Sequence, residues 1–278
     1  MNLGNSAISS DFISINGVNI HYLHSGKGAP LILLHGIPTY SYLWRNIIQP
    51  LSEMGHAVIA PDFPGYGLSD KPMDAPYTLS YFIDVFNDFI DALGLEKISL
   101  VVHDLGGPIG LLWAIRNPDR VEKIAILNTL ARPHFSLSMN LLLWAARVPG
   151  LSHWISSPAG IAYTMKWGVY NRNVMTPDII SAYQAPFLDI KARHATIKTL
   201  RSVKPEHLTG ISSQLVKLNK PIHIVCGEND SLLSLDMHQL QKDLPHASFI
   251  SIKNCGHFIQ EDQPRRLIEV LSVIFSQV

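Results

Sequence analysis

Residues 101–110, VVHDLGGPIG, place an acidic side chain between an apolar stretch and two glycines. The apolar residues 98–102 predict a buried strand, and Gly106 and Gly107 begin a predicted helix. A strand, a sharp turn and a helix make up the nucleophile elbow, which points one side chain out of a sheet. Asp104 takes the position that serine usually has in this motif. A carboxylate needs no base to activate it, so Asp104 is predicted to attack carbon and form an ester.

Two further segments at strand ends supply a base and an acid. His257 lies in GHFIQED (256–262), after the last predicted strand, where it would activate the water that hydrolyses the ester. Asp230 lies in CGEND (226–230) and would hold His257 in one tautomer. Taken alone, Asp104 would cap a helix, Asp230 would belong to a turn, and His257 would be one of 13 histidines. Because all three follow strand ends in the order of a catalytic triad, together they predict one.

The segment HGIP (35–38) predicts the part of the site that binds a negative charge. The backbone N–H groups of Ile37 and Leu105 would form an oxyanion hole, and the peptide bond before Pro38 is expected to be cis. His35 is placed beside the substrate pocket and is interpreted as a residue that packs against the site. The side chains of Ile37 and Leu105 are both apolar, which indicates a hydrophobic floor.

Short apolar runs alternate with helical patterns along most of the chain. Eight predicted strands cover 12–15, 18–22, 31–34, 57–60, 98–102, 121–127, 222–226 and 249–252. This alternation predicts an α/β fold, a mostly parallel eight-stranded sheet flanked by helices. From residue 131 to residue 213 the pattern is helical. We therefore expect a helical cap of residues 131–213, inserted after the sixth strand into a core domain of residues 1–130 and 214–278.

The overall composition excludes several classes of partner. Lys and Arg together number 22, as do Asp and Glu, and no basic stripe supports nucleic-acid binding. Residues 1–10 lack the features of a signal peptide, and the apolar runs are too short to span a membrane. The two cysteines, Cys226 and Cys255, fit a cytoplasmic protein with free thiols, although a bridge between them stays open. The composition thus predicts a cytoplasmic protein without a membrane partner.

Four segments together resemble the haloalkane dehalogenase and epoxide hydrolase branch of the α/β-hydrolases. They are HGIPTYSYLWRN, PDFPGYGLSDKP, VVHDLGGPIG and GHFIQED, and the resemblance covers nearly the whole chain, with the cap matching least. The resemblance implies a two-step mechanism: Asp104 displaces a leaving group at an sp³ carbon, and water activated by His257 cleaves the ester. It implies a small hydrophobic substrate and water as partners, no metal, no organic cofactor, and a monomer or small homo-oligomer.

At the positions where members of this branch carry residues that stabilise the leaving group, this chain has different residues. Dehalogenases usually carry Trp after the nucleophile and often Asn after the HG pair, whereas this chain has Leu105 and Ile37. A cap tryptophan, Trp144 or Trp167, would then have to supply the N–H group that holds a halide. Fluoroacetate dehalogenases carry Arg after the nucleophile, which Leu105 also does not match.

Epoxide hydrolases use two cap tyrosines to protonate the opening oxygen. The candidates in this chain are Tyr163, Tyr170 and Tyr183, but residues 191–213, where the second tyrosine is expected, contain none. The substrate pocket is accordingly predicted from cap and loop residues, namely His35, Pro38, Trp144, Trp167, Tyr163, Tyr170 and Phe258.

Four functions stay open from the sequence. Haloalkane dehalogenation ranks first, because HGIPTYSYLWRN and the cap segment YQAPF (183–187) look closer to dehalogenases. Epoxide hydrolysis ranks second, and hydrolysis or decarboxylation of a strained lactone ranks third. A non-catalytic ligand receptor on the same fold is the alternative of a different class, and the complete triad argues against it.

Overall fold

A computed structural model describes residues 8–276 of the chain. The expectation that residues 1–10 carry no signal peptide falls mostly on residues 1–7, which lie outside the described residues. The eight strands are β1 (Ser9–Ile15), β2 (Val18–Ser25), β3 (Ala29–Leu34), β4 (His56–Pro61), β5 (Ile98–Asp104), β6 (Val121–Thr129), β7 (Ile222–Gly227) and β8 (Ser248–Ile252). They form one sheet in the order β1-β2-β4-β3-β5-β6-β7-β8.

The sheet is mostly parallel, as the sequence predicts. β1 pairs with β2 and β2 with β4 in antiparallel fashion, and the other neighbours pair in parallel. The carboxyl ends of β3, β5, β6, β7 and β8 therefore meet at one edge of the sheet, where ligands of such sheets bind.

Helices cover both faces of the sheet. The helices are α1 (Arg45–Glu53), α2 (Leu79–Ala92), α3 (Gly106–Arg116), α4 (Leu137–Ala145), α5 (Leu151–Ile155), α6 (Pro158–Gly168), α7 (Pro177–Gln184), α8 (Ile190–Ser202), α9 (Ile211–Lys217), α10 (Ser234–Asp243), α11 (Ile259–Asp262) and α12 (Pro264–Phe275). Alternate residues of β3 point to opposite faces, so Ile32 and Leu34 pack with α2 and α3, whereas Leu31 and Leu33 pack with α1 and α12. The two hydrophobic clusters hold the strand ends in fixed positions.

The chain between β6 and β7 contains the helices α4 to α9, joined by loops and short 3-10 turns, and has no strand among its described residues. The expected boundary at residue 213 falls inside α9, which packs against α3 of the core. Among residues 8–276, no helix is long and apolar enough to cross a bilayer.

Candidate active site

Asp104 is the last residue of β5, and its backbone has the left-handed φ of 50°. A side chain other than glycine rarely adopts this conformation, which is typical of a nucleophile elbow. A Cβ atom on Gly107 would lie 1.5 Å from Thr129 Oγ1, so a glycine is required where α3 passes β6. The hydroxyl of Thr129 donates to the carbonyl oxygen of Asp104. The turn is therefore fixed from both sides, and the carboxylate points towards the edge of the sheet.

The Asp104 carboxylate has one oxygen bound and the other available. Its Oδ1 accepts a hydrogen bond of 2.7 Å from the N–H of Ile37. Its Oδ2 lies 3.5 Å from His257 Nε2. Among the described residues, Ile37 supplies the one backbone N–H bound to this carboxylate, and the second predicted donor, Leu105, forms no such bond. The peptide bond between Ile37 and Pro38 is cis, as predicted.

His257 is held by Asp230 at one side and by its own backbone at the other. Its Nδ1 lies 3.0 Å from Asp230 Oδ2, while Asp230 Oδ1 accepts the N–H groups of Leu232 and Leu233. The carbonyl oxygen of His257 accepts hydrogen bonds from His103 Nε2 and Asn128 Nδ2. The structure thus brings together Asp104, Asp230 and His257 in the arrangement of a triad.

The charges at the site depend on one another. Burial favours the neutral form of Asp104, but the hydrogen bond and charge of His257, together with the Ile37 N–H, lower the pKa of Asp104 below its ordinary value. Burial likewise disfavours a charged His257, yet Asp230 and Asp104 raise the pKa of His257 to about 10. Burial lowers the pKa of His103 to about 4. These pKa shifts favour an ionised Asp104 beside a protonated His257 and a neutral His103 in the free site.

A cavity lies between these residues and the helices that follow β6. The empty space between its lining atoms is about 740 Å³, part of it open to solvent. Apolar side chains form most of the wall, including Ile37, Leu105, Leu130, Met139, Leu142, Leu143, Ile155, Ile161, Leu200 and Val203. Besides Asp104 and His257, its polar side chains are Thr164, Trp167 and Thr196. Such a cavity suits a small hydrophobic molecule.

Seven residues were predicted for the pocket, and the structure divides them. Pro38, Trp167 and Phe258 line the cavity. Trp144, Tyr163 and Tyr170 instead lie on the outer surface and are 55%, 59% and 52% exposed. Trp144 and Tyr163 lie in cap helices with apolar residues on more than one side, so periodicity does not show which side faces the core, and Tyr170 lies in the loop after α6.

His35 and Tyr183 also lie away from the cavity. His35 Nε2 accepts the N–H of Phe63 and its Nδ1 contacts the carbonyl of Gly36, so it braces the turn before Ile37. Tyr183 is buried and donates its hydroxyl to Glu261. Among the described residues, no tyrosine therefore lines the cavity.

The sequence did not single out two of the residues that shape the site. Thr196, in α8, lines the cavity, and its buried hydroxyl has no hydrogen-bond partner among the described residues. Asn128, in β6, ties the His257 loop to β7, because its side chain binds the His257 carbonyl oxygen and the Gly227 N–H. A short polar residue in an otherwise helical or strand pattern gives no signal of its own, so neither could be found without coordinates.

Comparison with known proteins agrees with this architecture. Residues 29–153 match the family described as alpha/beta hydrolase fold. The chain is 35% identical to a cis-3-alkyl-4-alkyloxetan-2-one decarboxylase of Shewanella oneidensis, covering 92% of this chain and 85% of the relative. It is 31% identical to a haloalkane dehalogenase of Psychrobacter cryohalolentis, covering 91% and 86%. The solved structure of the epoxide hydrolase CorEH superposes with a TM-score of 0.83 at 26% identity, covering 97% and 99%.

The chain therefore belongs to the α/β-hydrolase family. Within that family it belongs to the haloalkane dehalogenase and epoxide hydrolase-like branch, and it is a hydrolase of the dehalogenase-like type. The resemblance inferred from its four motifs is confirmed.

Proposed function

We propose that the chain opens the ring of a hydrophobic oxetan-2-one, a strained four-membered lactone, through an ester on Asp104. The observation that carries this proposal is the apolar floor formed by Ile37 and Leu105 beside the attacking carboxylate. The relative from Shewanella oneidensis is named for an oxetanone substrate with two alkyl groups. This reaction ranked third from the sequence, and the lining of the cavity moves it to first place.

The first step is a displacement at carbon. Asp104 Oδ2 attacks the sp³ ring carbon next to the ring oxygen, not the carbonyl carbon, and the bond between this sp³ carbon and the ring oxygen breaks. Its electron pair goes to the departing oxygen, so the ring opens to an Asp104 alkyl ester that carries a carboxylate. The Ile37 N–H keeps Oδ1 in place, which leaves Oδ2 free to react.

The second step has two possible courses, and the cavity favours one of them. Loss of CO₂ breaks a carbon–carbon bond, whose electrons form an alkene while the ester bond breaks and returns the carboxylate of Asp104. Alternatively, water activated by His257 attacks the ester carbonyl and releases a hydroxy acid. An apolar wall destabilises the substrate carboxylate but not neutral CO₂, and the recovered charge lies beside Ile37 N–H and His257.

The same physical argument separates the lactone from other electrophiles. A halide ion persists as a charged leaving group, and the oxygen of an opening epoxide must be protonated, so both need donors in the cavity. The side-chain donors near the site are few, and Tyr163, Tyr170 and Tyr183 lie elsewhere. Haloalkane dehalogenation stays the second candidate, because the indole of Trp167 lines the cavity and can supply one N–H.

The test is turnover of a cis-dialkyl oxetan-2-one by the wild-type protein, with alkene, CO₂ and hydroxy acid measured separately. Asp104→Asn should abolish lactone consumption, while the variant stays folded because the amide is isosteric. Reaction in H₂¹⁸O distinguishes the two courses, since only ester hydrolysis brings ¹⁸O into Asp104. Unchanged lactone, together with bromide release from a bromoalkane that depends on Asp104, would replace this proposal with the second candidate.

Two further proposals concern the helical cap and the cellular compartment of the protein. We propose that residues 131–213 act as the cap that closes the cavity, since α4, α5, α6 and α8 contribute to its lining. Cys226 and Cys255 are buried and unpaired in this structure, which supports a reducing, cytoplasmic compartment.

A further inference from the structure

The outer surface of α4, α5 and α6 carries a group of exposed apolar and aromatic side chains. We call this group the cap face, and it consists of Leu137, Leu141, Trp144, Leu151, Trp154, Tyr163 and Trp167. Their exposed fractions run from 36% for Trp167 to 86% for Leu137. A cluster of this kind on a soluble domain marks an interaction surface more often than a single exposed leucine does.

The members of the cap face form two groups, one on α4 and one on α5 and α6. Leu137, Leu141 and Trp144 follow at intervals of four and three residues, so they share one side of α4. The rings of Trp154 and Tyr163 lie 5.5 Å apart and join α5 to α6. Trp167 follows Tyr163 by one helical turn.

The cap face also shares a residue with the wall of the active-site cavity. Trp167 is 36% exposed on the surface and at the same time lines the cavity. Leu142, which follows Leu141 in α4, lines it as well. Trp167 therefore connects the cap face with the apolar wall of the cavity.

The charged side chains within the segment that forms the cap face have one sign. Residues 123–177 contain no Asp or Glu, and they include Lys166 in α6 and Arg147 just after α4. The Arg147 guanidinium donates to the carbonyl oxygens of Leu143 and Arg201. The helices α4, α5 and α6 thus combine tryptophan, tyrosine and leucine with basic side chains and carry no carboxylate.

We propose that the cap face docks on an anionic lipid surface, from which the hydrophobic substrate enters the cavity. Tryptophan and tyrosine favour the boundary between lipid and water, and leucines inserted among headgroups gain apolar contact. Lys166 and Arg147 add attraction to anionic headgroups. The sequence predicted no membrane partner because no apolar run is long enough to span a bilayer. Run length does not report apolar side chains gathered on one surface of several short helices. This inference concerns where the protein sits and does not depend on which electrophile Asp104 attacks.

The experiment uses the full chain with vesicles of phosphatidylcholine that contain about 30% phosphatidylglycerol, beside vesicles of phosphatidylcholine alone. Binding is measured by vesicle flotation and by a blue shift of tryptophan emission, to which buried Trp44 and Trp113 contribute little change. The double variant Leu141→Ser, Trp144→Ser should weaken binding at least about tenfold. Lys166→Glu should weaken it about tenfold on anionic vesicles and leave the weak binding to neutral vesicles unchanged.

Matched controls come from the opposite edge of the sheet, where β3 and β4 begin. Met54 is 47% exposed and Lys27 is exposed in the turn before β3. Met54→Ser and Lys27→Glu should bind vesicles like the wild type. Catalytic turnover of a dispersed short-chain substrate should stay intact in all four variants, which separates docking from activity.

Two results would overturn the proposal. One is the absence of binding to anionic vesicles by the wild-type protein. The other is a dimer in solution that the Leu141→Ser, Trp144→Ser variant dissociates, since a second copy of the chain would then cover the cap face.

Discussion

The pKa of His257 depends on the charge of Asp104, so the protonation of His257 changes when Asp104 forms the ester. In the free site, the negative charges of Asp230 and Asp104 both raise the pKa of His257. Formation of the ester removes the charge of Asp104, so the pKa of His257 falls towards the range in which it releases its proton. Ester formation therefore favours the neutral imidazole, which is the form of His257 that acts as a base.

The reverse dependence gives a prediction for His257→Gln. The imidazolium lowers the pKa of Asp104, so its loss should raise that pKa. Because the carboxylate form attacks and is present above its pKa, the acid limb of the attack step should move to higher pH. Single-turnover consumption of substrate from about pH 4 to about pH 9 measures this limb. An exposed histidine of the cap, His153, supplies the control His153→Gln, which should leave the limb in place, and an unmoved limb in His257→Gln would contradict the argument.

Thr196 offers a test of leaving-group stabilisation. Its hydroxyl lines the cavity beside the hydroxyl of Tyr66 and lacks a full hydrogen bond, so it is available to the carboxylate that ring opening creates. Thr196→Val should lower kcat/KM about tenfold, because one hydrogen bond to a developing charge is lost. Thr164 lines the same cavity, but its hydroxyl already donates to Gly160 O at 3.0 Å. Thr164→Val should change kcat/KM less than about threefold, and equal losses in the two variants would count against a role for Thr196.

At the scale of elements, Asn128 joins three segments at the carboxyl edge of the sheet. Its Nδ2 donates to the carbonyls of Gly256 and His257, at 3.0 and 2.9 Å. Its Oδ1 accepts the N–H of Gly227 at 3.1 Å. Asn128→Ala would leave these buried groups without partners, which should lower the free energy of unfolding by about 3 kcal/mol. It should also reduce kcat, because the loop that carries His257 loses its anchor.

Urea unfolding followed by circular dichroism measures this loss of stability. Asn140 is exposed and donates one hydrogen bond to Phe135 O, so Asn140→Ala is the control and should change stability by less than about 1 kcal/mol. Asn128→Ala protein with wild-type stability would mean that the three contacts are replaced in solution by water.

The strands and turns that hold the triad were predictable from the sequence. For the cap, the sequence predicted helices but not which side of each helix faces the cavity. The apolar run before Asp104 and the glycines after it predict a strand, a tight turn and a helix, because only glycine lets the helix pass so close to the neighbouring strands. In α4, by contrast, Leu137 is exposed and Met139 and Leu143 are buried, so apolar residues occur on both sides. Which side faces the cavity is decided by packing against distant parts of the chain, and this information is absent from local periodicity.

At the scale of the whole molecule, the helical segment after β6 shares its hydrophobic clusters with the sheet. Met139 and Leu143 of α4 belong to the cluster that contains Leu34 and Val102. Met165 of α6 belongs to the cluster on the other side. A buried ion pair, in which Arg45 contacts Glu261, also receives the hydroxyl of Tyr183 from α7. The cap therefore lacks a separate core of its own.

This sharing predicts that the cap and the sheet unfold in one transition. Trp44 and Trp113 are buried in the core, whereas Trp144, Trp154 and Trp167 lie in the cap, so tryptophan fluorescence can report on either part. One variant replaces the two core tryptophans with Phe, and the other replaces the three cap tryptophans. In each variant, the urea midpoint from fluorescence should coincide with the midpoint from circular dichroism, because neither part keeps its clusters without the other. A cap signal that changes at lower urea than the circular dichroism would show that the cap opens alone, and substrate entry would then proceed through local unfolding of the cap.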